Sequence, residues 1–179
     1  MMYNTKNIDK YFKLKKKYDI LFYGATYPKM YPFRNRLYYI LKKNEKNFNI
    51  KFLPWSKRHP EKMIIGTELN KLIGESWLSC STCAINNSLV SKYFEIPLHG
   101  SVILGNYPEY ESEQYIKQNM IYINKSMTDE DILNCITEAL KNKKKLQKYS
   151  ENLRKYLLEN YTYDNGLKKF EELISYALC

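Results

Sequence analysis

Short apolar runs that alternate with segments of helical periodicity constrain this chain more than any other feature. YDILFYG (18–24) is an uninterrupted apolar run ending in Gly, and its brevity and flanks predict a strand buried on both faces of a parallel sheet. FNIKFLPW (48–55), WLSCSTC (77–83), SVILGN (101–106) and MIYIN (120–124) are predicted strands of the same kind. Between them, Tyr31-Pro32-Phe33 opens a helix with Leu37, Ile40 and Leu41 at core spacing, Pro being tolerated in a first turn. Leu69, Leu72 and Ile73 mark a second helix over 66–76, and residues 88–98 form a third that stops at Gly100.

The last third of the chain reads as helical. Thr128 and Asp131 have the spacing of a capping box, followed by Ile132, Leu133, Ile136 and Leu140 on one face. KNKKK (141–145) breaks that run, Leu146, Tyr149, Leu153, Tyr156 and Leu157 mark a further helix, and Leu167, Phe170, Leu173 and Ile174 a last one. Strands alternating with helices imply a parallel sheet with right-handed crossovers. The expected fold class is therefore α/β, a Rossmann-like parallel sheet flanked by helices with a helical C-terminal extension. The 179 residues suit one such domain (1–179), in which 1–17 is a basic lead segment. Ligands of such sheets lie beyond the carboxyl ends of the strands, which directs attention to loops 24–32, 55–62, 83–88 and 105–112.

Charge and cysteine content narrow the function classes. A formal charge of +10 attracts polyanions, yet the positive residues are mostly Lys. The accompanying excess of Asn, Ile and Tyr suggests an A/T-rich genome such as that of a large DNA virus. Nucleic-acid binding is therefore not the expected role; a diphosphate or an anionic surface would benefit from the same field. No run approaches the roughly 20 apolar residues of a membrane span, and residues 1–19 lack the apolar stretch of a signal peptide. The expected location is the cytoplasm, the host's for a viral protein. Cys80 and Cys83 have C-x-x-C spacing, but no second pair or close His pair completes a zinc site. Small, buried, reduced thiols are the simpler reading, and no metal is expected.

Residues 88–98 carry the most chemistry. Leu89, Tyr93 and Ile96 form an apolar stripe, and Ser88, Lys92, Glu95 and His99 a polar one. Starting just past a strand end, such a helix could hold a phosphate on its free N–H groups, with Lys92 adding charge and Glu95 accepting from a ribose diol. The same stripe also fits a solvated face with one Lys–Glu pair.

The segment SKYFEIPLHGSVILGN resembles the donor-site helix and strand of GT-B glycosyltransferases, in the group that includes spore-maturation-like members. YDILFYGATYPKMYPFRNRL resembles the opening strand and loop of that family's C-terminal domain, with Arg34 in its Y-P-x-R pattern. RHP (58–60), MTDEDILNCITEALKNKKKL and ENYTYDNGLKKFEEL resemble later motifs in order and spacing. The resemblance implies binding of a UDP- or GDP-linked sugar for glycosyl transfer. Glu95 takes the position that holds the ribose hydroxyls, with Lys92, Ser88, Arg34, Arg58, His59 and Asn87 around the donor and no metal. Retaining members carry an acid eight residues before that Glu. Here it is Asn87, and an amide cannot act as acid or base, so the catalytic residues and the stereochemical outcome stay open. Such enzymes have two domains, and the match is to the second. The acceptor side is then expected from a partner chain, from a homo-oligomer, or not at all in a shortened form. The alternative is a non-catalytic Rossmann-like interaction or nucleotide-binding module.

Overall fold

The computed structural model describes residues 8–53, 55, 63–108 and 114–161. The apolar runs form five short strands: β1 (Tyr18–Phe22), β2 (Ile50–Phe52), β3 (Ser76–Cys80), β4 (Val102–Gly105) and β5 (Ile121–Tyr122). They build one all-parallel sheet in the order β2-β1-β3-β4-β5. Seven helices accompany them among the described residues: α1 (Asp9–Phe12), α2 (Pro32–Lys43), α3 (Gly66–Gly74), α4 (Lys92–Leu98), α5 (Gln114–Gln118), α6 (Asp129–Lys141) and α7 (Lys143–Asn160). The α/β parallel-sheet fold expected from the alternation is present.

Alternation along each strand divides the core in two. Ile20, Phe22, Leu78, Cys80, Val102 and Leu104 pack with Leu37, Ile40 and Leu41 of α2 and with Ile132 and Ile136 of α6. Leu21, Tyr23 and Ile103 belong to the second cluster, with Ile73 of α3, Tyr93 and Ile96 of α4, Ile116 of α5, and Leu153 and Leu157 of α7. Helices therefore bury both faces of the sheet's centre, which is why β1, β3 and β4 read as short, mostly apolar runs.

Local signals account for several boundaries. The Thr128–Asp131 capping box forms, with Asp131 N–H donating to Thr128 Oγ1 at 3.1 Å and Thr128 N–H to Asp131 Oδ2 at 3.1 Å. The break predicted at 141–145 falls at Asn142, whose side chain accepts from Lys145 N–H and caps α7. Arg36 joins α2 to the start of α6 through Asp129 and the carbonyls of Lys125 and Met127.

Three expectations are corrected. The strands are shorter than the apolar runs, since the runs continue past the last ladder bond into the loops. The helix expected over 88–98 begins only at Lys92, because Asn87 adopts φ 59° and Asn86 Oδ1 accepts from Ser88 N–H and Oγ, a local turn that competes with helix. The lead is not merely a basic segment from Ile8 onward: Ile8 and Tyr11 are buried, and α1 packs under α3. Lys16 Nζ donates to Gly74 O at 2.8 Å and to Gly100 O at 2.5 Å, tying the C-terminal ends of α3 and α4 to the chain entering β1. The helix expected over 167–174 lies outside the described residues. Among the described residues no helix is long and apolar enough to cross a membrane.

Candidate functional site

The strand order reverses between β1 and β3. From β1 the chain turns outward to β2, returns across β1 to β3, and continues to β4 and β5. The loops leaving the carboxyl ends of β1 and β3 therefore diverge and leave a crevice, the usual ligand position in a doubly wound sheet.

Two cations converge on the β1 side of this crevice. Gly24, two residues past β1, has φ 91° and lies close to both: a Cβ there would stand 2.6 Å from Lys92 Nζ and 3.5 Å from Arg34 Nη1. Lys92, the first residue of α4, donates to Tyr23 O at 2.5 Å, and its ammonium is 3.7 Å from the centroid of the Tyr23 ring. Arg34, in the first turn of α2, is 3% exposed. It donates from Nε to Thr82 Oγ1 at 3.1 Å, from Nη2 to Thr82 O at 2.8 Å and from Nη1 to Ala25 O at 3.4 Å, and it covers the Tyr31 ring at 4.1 Å. It thus clamps the loops after β1 and β3 together.

Neither cation has an ion pair with a carboxylate among the described residues. Burial pushes the Lys92 ammonium well below its ordinary range and the nearby Arg34 charge pushes it further the same way, while Cys80 and the Glu95 carboxylate oppose the shift. Burial also lowers Arg34 from its ordinary value. Buried positive charge without a counter-ion is costly, and an anion entering the crevice would offset that cost.

The β3–β4 side is neutral and hydrogen-bonded. Cys83 N–H donates to Asn106 Oδ1 at 3.1 Å, and Tyr93 OH donates to Asn106 O at 2.5 Å. Cys83 Sγ lies 3.3 Å from Tyr93 OH. Burial raises the Cys80 thiol to about 12 and raises Cys83 as well, so neither is a thiolate nucleophile at neutral pH. Both are free thiols. A cleft of about 280 Å³ opens here, lined by Phe33, Cys83, Ile85, Asn87, Asn106 and Lys125 among others. Among the described residues no group of three or more His, Cys, Asp or Glu could hold a metal ion.

The sequence-predicted residues separate into distinct places. Arg34 and Lys92 come together. Glu95 lies one turn further along α4, half-buried; its backbone carbonyl accepts from His99 N–H at 3.2 Å, while its carboxylate bonds to none of the described residues. Asn87 lines the neighbouring cleft from a tight turn, its N–H bonded to Ala84 O at 2.9 Å. Its left-handed φ gives a local reason for Asn, one of the few residues that tolerate it. Ser88 bonds to Asn86 and is not on the helix. The polar stripe Ser88, Lys92, Glu95, His99 is therefore not a single helix face, and α4, seven residues long, lacks the extended first turn expected to cradle a phosphate. His99 sits at the opposite end of α4, buried against the Tyr11 ring with centroids 5.5 Å apart. Arg58 and His59, with Lys57, lie outside the described residues. Trp55 meets Tyr27 edge-on at 4.6 Å on the rim of the crevice.

Gly24, Thr82 and Asn106 were not singled out in the sequence. The Gly closing an apolar run was the available signal for the first; the other two are ordinary polar residues until the fold brings them to the crevice. Fold and site together define a parallel α/β protein with a cationic crevice at its switch point. Comparison with protein-family models, with curated proteins and with solved structures gives no match for the chain.

Proposed function

We propose that the crevice binds the diphosphate of a UDP- or GDP-linked sugar, and that the chain is the donor-binding part of a GT-B-type glycosyltransferase. The observation that carries the reading is the convergence of Arg34 and Lys92 on Gly24, two desolvated basic groups with no ion pair to a carboxylate among the described residues. A diphosphate supplies the missing negative charge. Lys92 contacts it directly, exchanging the Tyr23 carbonyl for phosphate oxygens, while the nearly inaccessible Arg34 contributes its field and holds both loops in place. In transfer, the departing diphosphate gains negative charge, which fixed cations stabilise at little reorganisation cost. Glu95, with its carboxylate unspent, takes the ribose hydroxyls.

The resemblance and the crevice support binding more strongly than turnover. Asn87 occupies the position where retaining members carry an acid, which favours a second reading, a nucleotide-binding module without transferase activity of its own. In the first reading the acceptor side comes from a partner chain or a second copy; in the second none is needed. A thermal-shift panel of UDP- and GDP-sugars tests the reading. Stabilisation by at least one member, reduced in Glu95→Ala, is expected, and a flat panel removes the proposal.

A further inference from the structure

Surface lysines gather at the end of the sheet away from the crevice. The lead (13–17) enters β1 there, α2 and α6 end there in Lys42-Lys43 and Lys141, and α7 starts there with Lys143-Lys144-Lys145. Hydrogen bonds join these segments. Lys143 Nζ donates to Asp19 Oδ1 at 3.1 Å, and Asn49 N–H to Asp19 Oδ2 at 3.1 Å. Asn49 Nδ2 donates to Lys17 O at 2.7 Å, and Lys17 Nζ to Glu75 Oε1 at 2.6 Å. We propose that this end docks on an anionic lipid bilayer through Lys13, Lys15, Lys43, Lys46, Lys144 and Lys148, leaving the crevice open to the aqueous phase.

Unneutralised charge is the first ground. All six lysines are exposed, and none makes an ion pair among the described residues. The acids of this end are already engaged. Asp19 pairs with Lys143, Glu45 with Lys42, Glu75 with Lys17 and Glu138 with Lys141, while Glu151 accepts from Gln147. α6 carries the asymmetry along one helix, from Asp129, Glu130 and Asp131 at the crevice end to Lys141 at this one.

Placement against local preference is the second ground. α7 opens with three lysines and has no acid in its first turn, although a helix N-terminus favours anions and repels cations. Its buried stripe is Leu146, Ser150, Leu153 and Leu157, so helical spacing puts Lys144 and Lys148 on the outward face. Negative charge lying against this end offsets a cost that the fold by itself leaves standing.

Residue type favours lipid over nucleic acid. The described arginines are spent inside the fold: Arg34 on Thr82, Arg36 on Asp129, and Arg154 on Asp9 and the Leu98 carbonyl. The outward cations are lysines, compact point charges suited to the diffuse field of a lipid surface. Segments 13–17, 43–46 and 141–148 expose no large apolar side chain among the described residues. They offer neither a stacking platform for bases nor a wedge for acyl chains, and docking is electrostatic.

Co-sedimentation of the full chain with vesicles tests the proposal. Phosphatidylcholine vesicles are compared with vesicles containing about 30% phosphatidylserine, in about 0.1 M salt. The expected result is partitioning onto the anionic vesicles alone, lost at about 0.5 M salt, where screening shortens the field. Each lysine near such a surface contributes a factor of about five. Lys144→Gln combined with Lys148→Gln therefore lowers partitioning about 25-fold. Lys29→Gln combined with Lys125→Gln removes two charges from the crevice end and changes it by less than about twofold, those sites lying beyond a Debye length from the membrane. No partitioning onto anionic vesicles, an equal loss in the two double variants, or tighter binding to a DNA duplex than to vesicles of equal phosphate concentration overturns the proposal.

Discussion

Gly105→Ala tests the close approach that shapes the crevice. Gly105 ends β4 against the residue that follows β3, and a Cβ built there would stand 1.6 Å from Ser81 O and 2.7 Å from Ser81 C. Real Cβ contacts essentially never fall under 3.0 Å, so the methyl group must displace backbone by more than 1 Å. The atoms that would have to yield are main-chain, and two hydrogen bonds hold them: Ser81 N–H to Leu104 O at 3.0 Å and Ile123 N–H to Gly105 O at 2.9 Å. Overpacking in a close-packed interior costs about 1–3 kcal/mol, and losing two backbone bonds adds about 1 kcal/mol each. The expected destabilisation is about 3–5 kcal/mol, a large share of a typical total of about 5–15 kcal/mol. Urea unfolding followed by circular dichroism measures it; with a slope of about 2 kcal/mol per molar, the midpoint falls by about 2 M. Gly66→Ala is the control. Gly66 has φ 61° but nothing among the described residues within 4 Å of an added Cβ, so backbone strain of about 1 kcal/mol is the cost expected there. A Gly105→Ala midpoint no lower than that of Gly66→Ala would refute the reasoning.

Thr128→Ala removes the hydroxyl that accepts from Asp131 N–H and costs about 1 kcal/mol in the same assay; an unchanged midpoint would show that the cap contributes nothing. Lys16 gives a pH dependence. Its folded value is about 8 against an ordinary 10.5, so between those values the unfolded chain binds more protons and stability rises with pH. The unfolding free energy of wild type relative to Lys16→Met should therefore rise by about 1–2 kcal/mol between pH 8 and 10. A flat or falling difference contradicts the burial of that ammonium.

The sheet was legible because its central strands β1, β3 and β4 are covered on both faces and read as apolar runs, whereas β2 at the edge is half-exposed, with Lys51 between Ile50 and Phe52. The capping box and the break at Asn142 were legible because they depend on neighbours three residues apart. The start of α4 was not: Ser88, Lys92, Glu95 and His99 have helical spacing, but the left-handed Asn87 and the Asn86 side chain bind the intervening residues into a turn. Lys16 read as one member of a basic lead, since its partners Gly74 and Gly100 lie 58 and 84 residues away. Lys92 stands out in the sequence for phosphate chemistry and Arg34 through the resemblance, but their meeting at Gly24 depends on the strand order, which sets the segments after β1 and β3 on the two sides of one crevice. The pair's electrostatic character, two basic groups with no ion pair to a carboxylate among the described residues, emerges only from that meeting.

Calorimetric titration of the full chain with UDP- and GDP-sugars tests the central claim most directly, with Lys92→Met measured alongside. The account predicts saturable binding of at least one donor by the wild type and a loss of affinity of about tenfold or more in the variant, as removal of a charged hydrogen-bond donor to phosphate implies. No heat with any nucleotide sugar, or binding of equal strength by Lys92→Met, would contradict it.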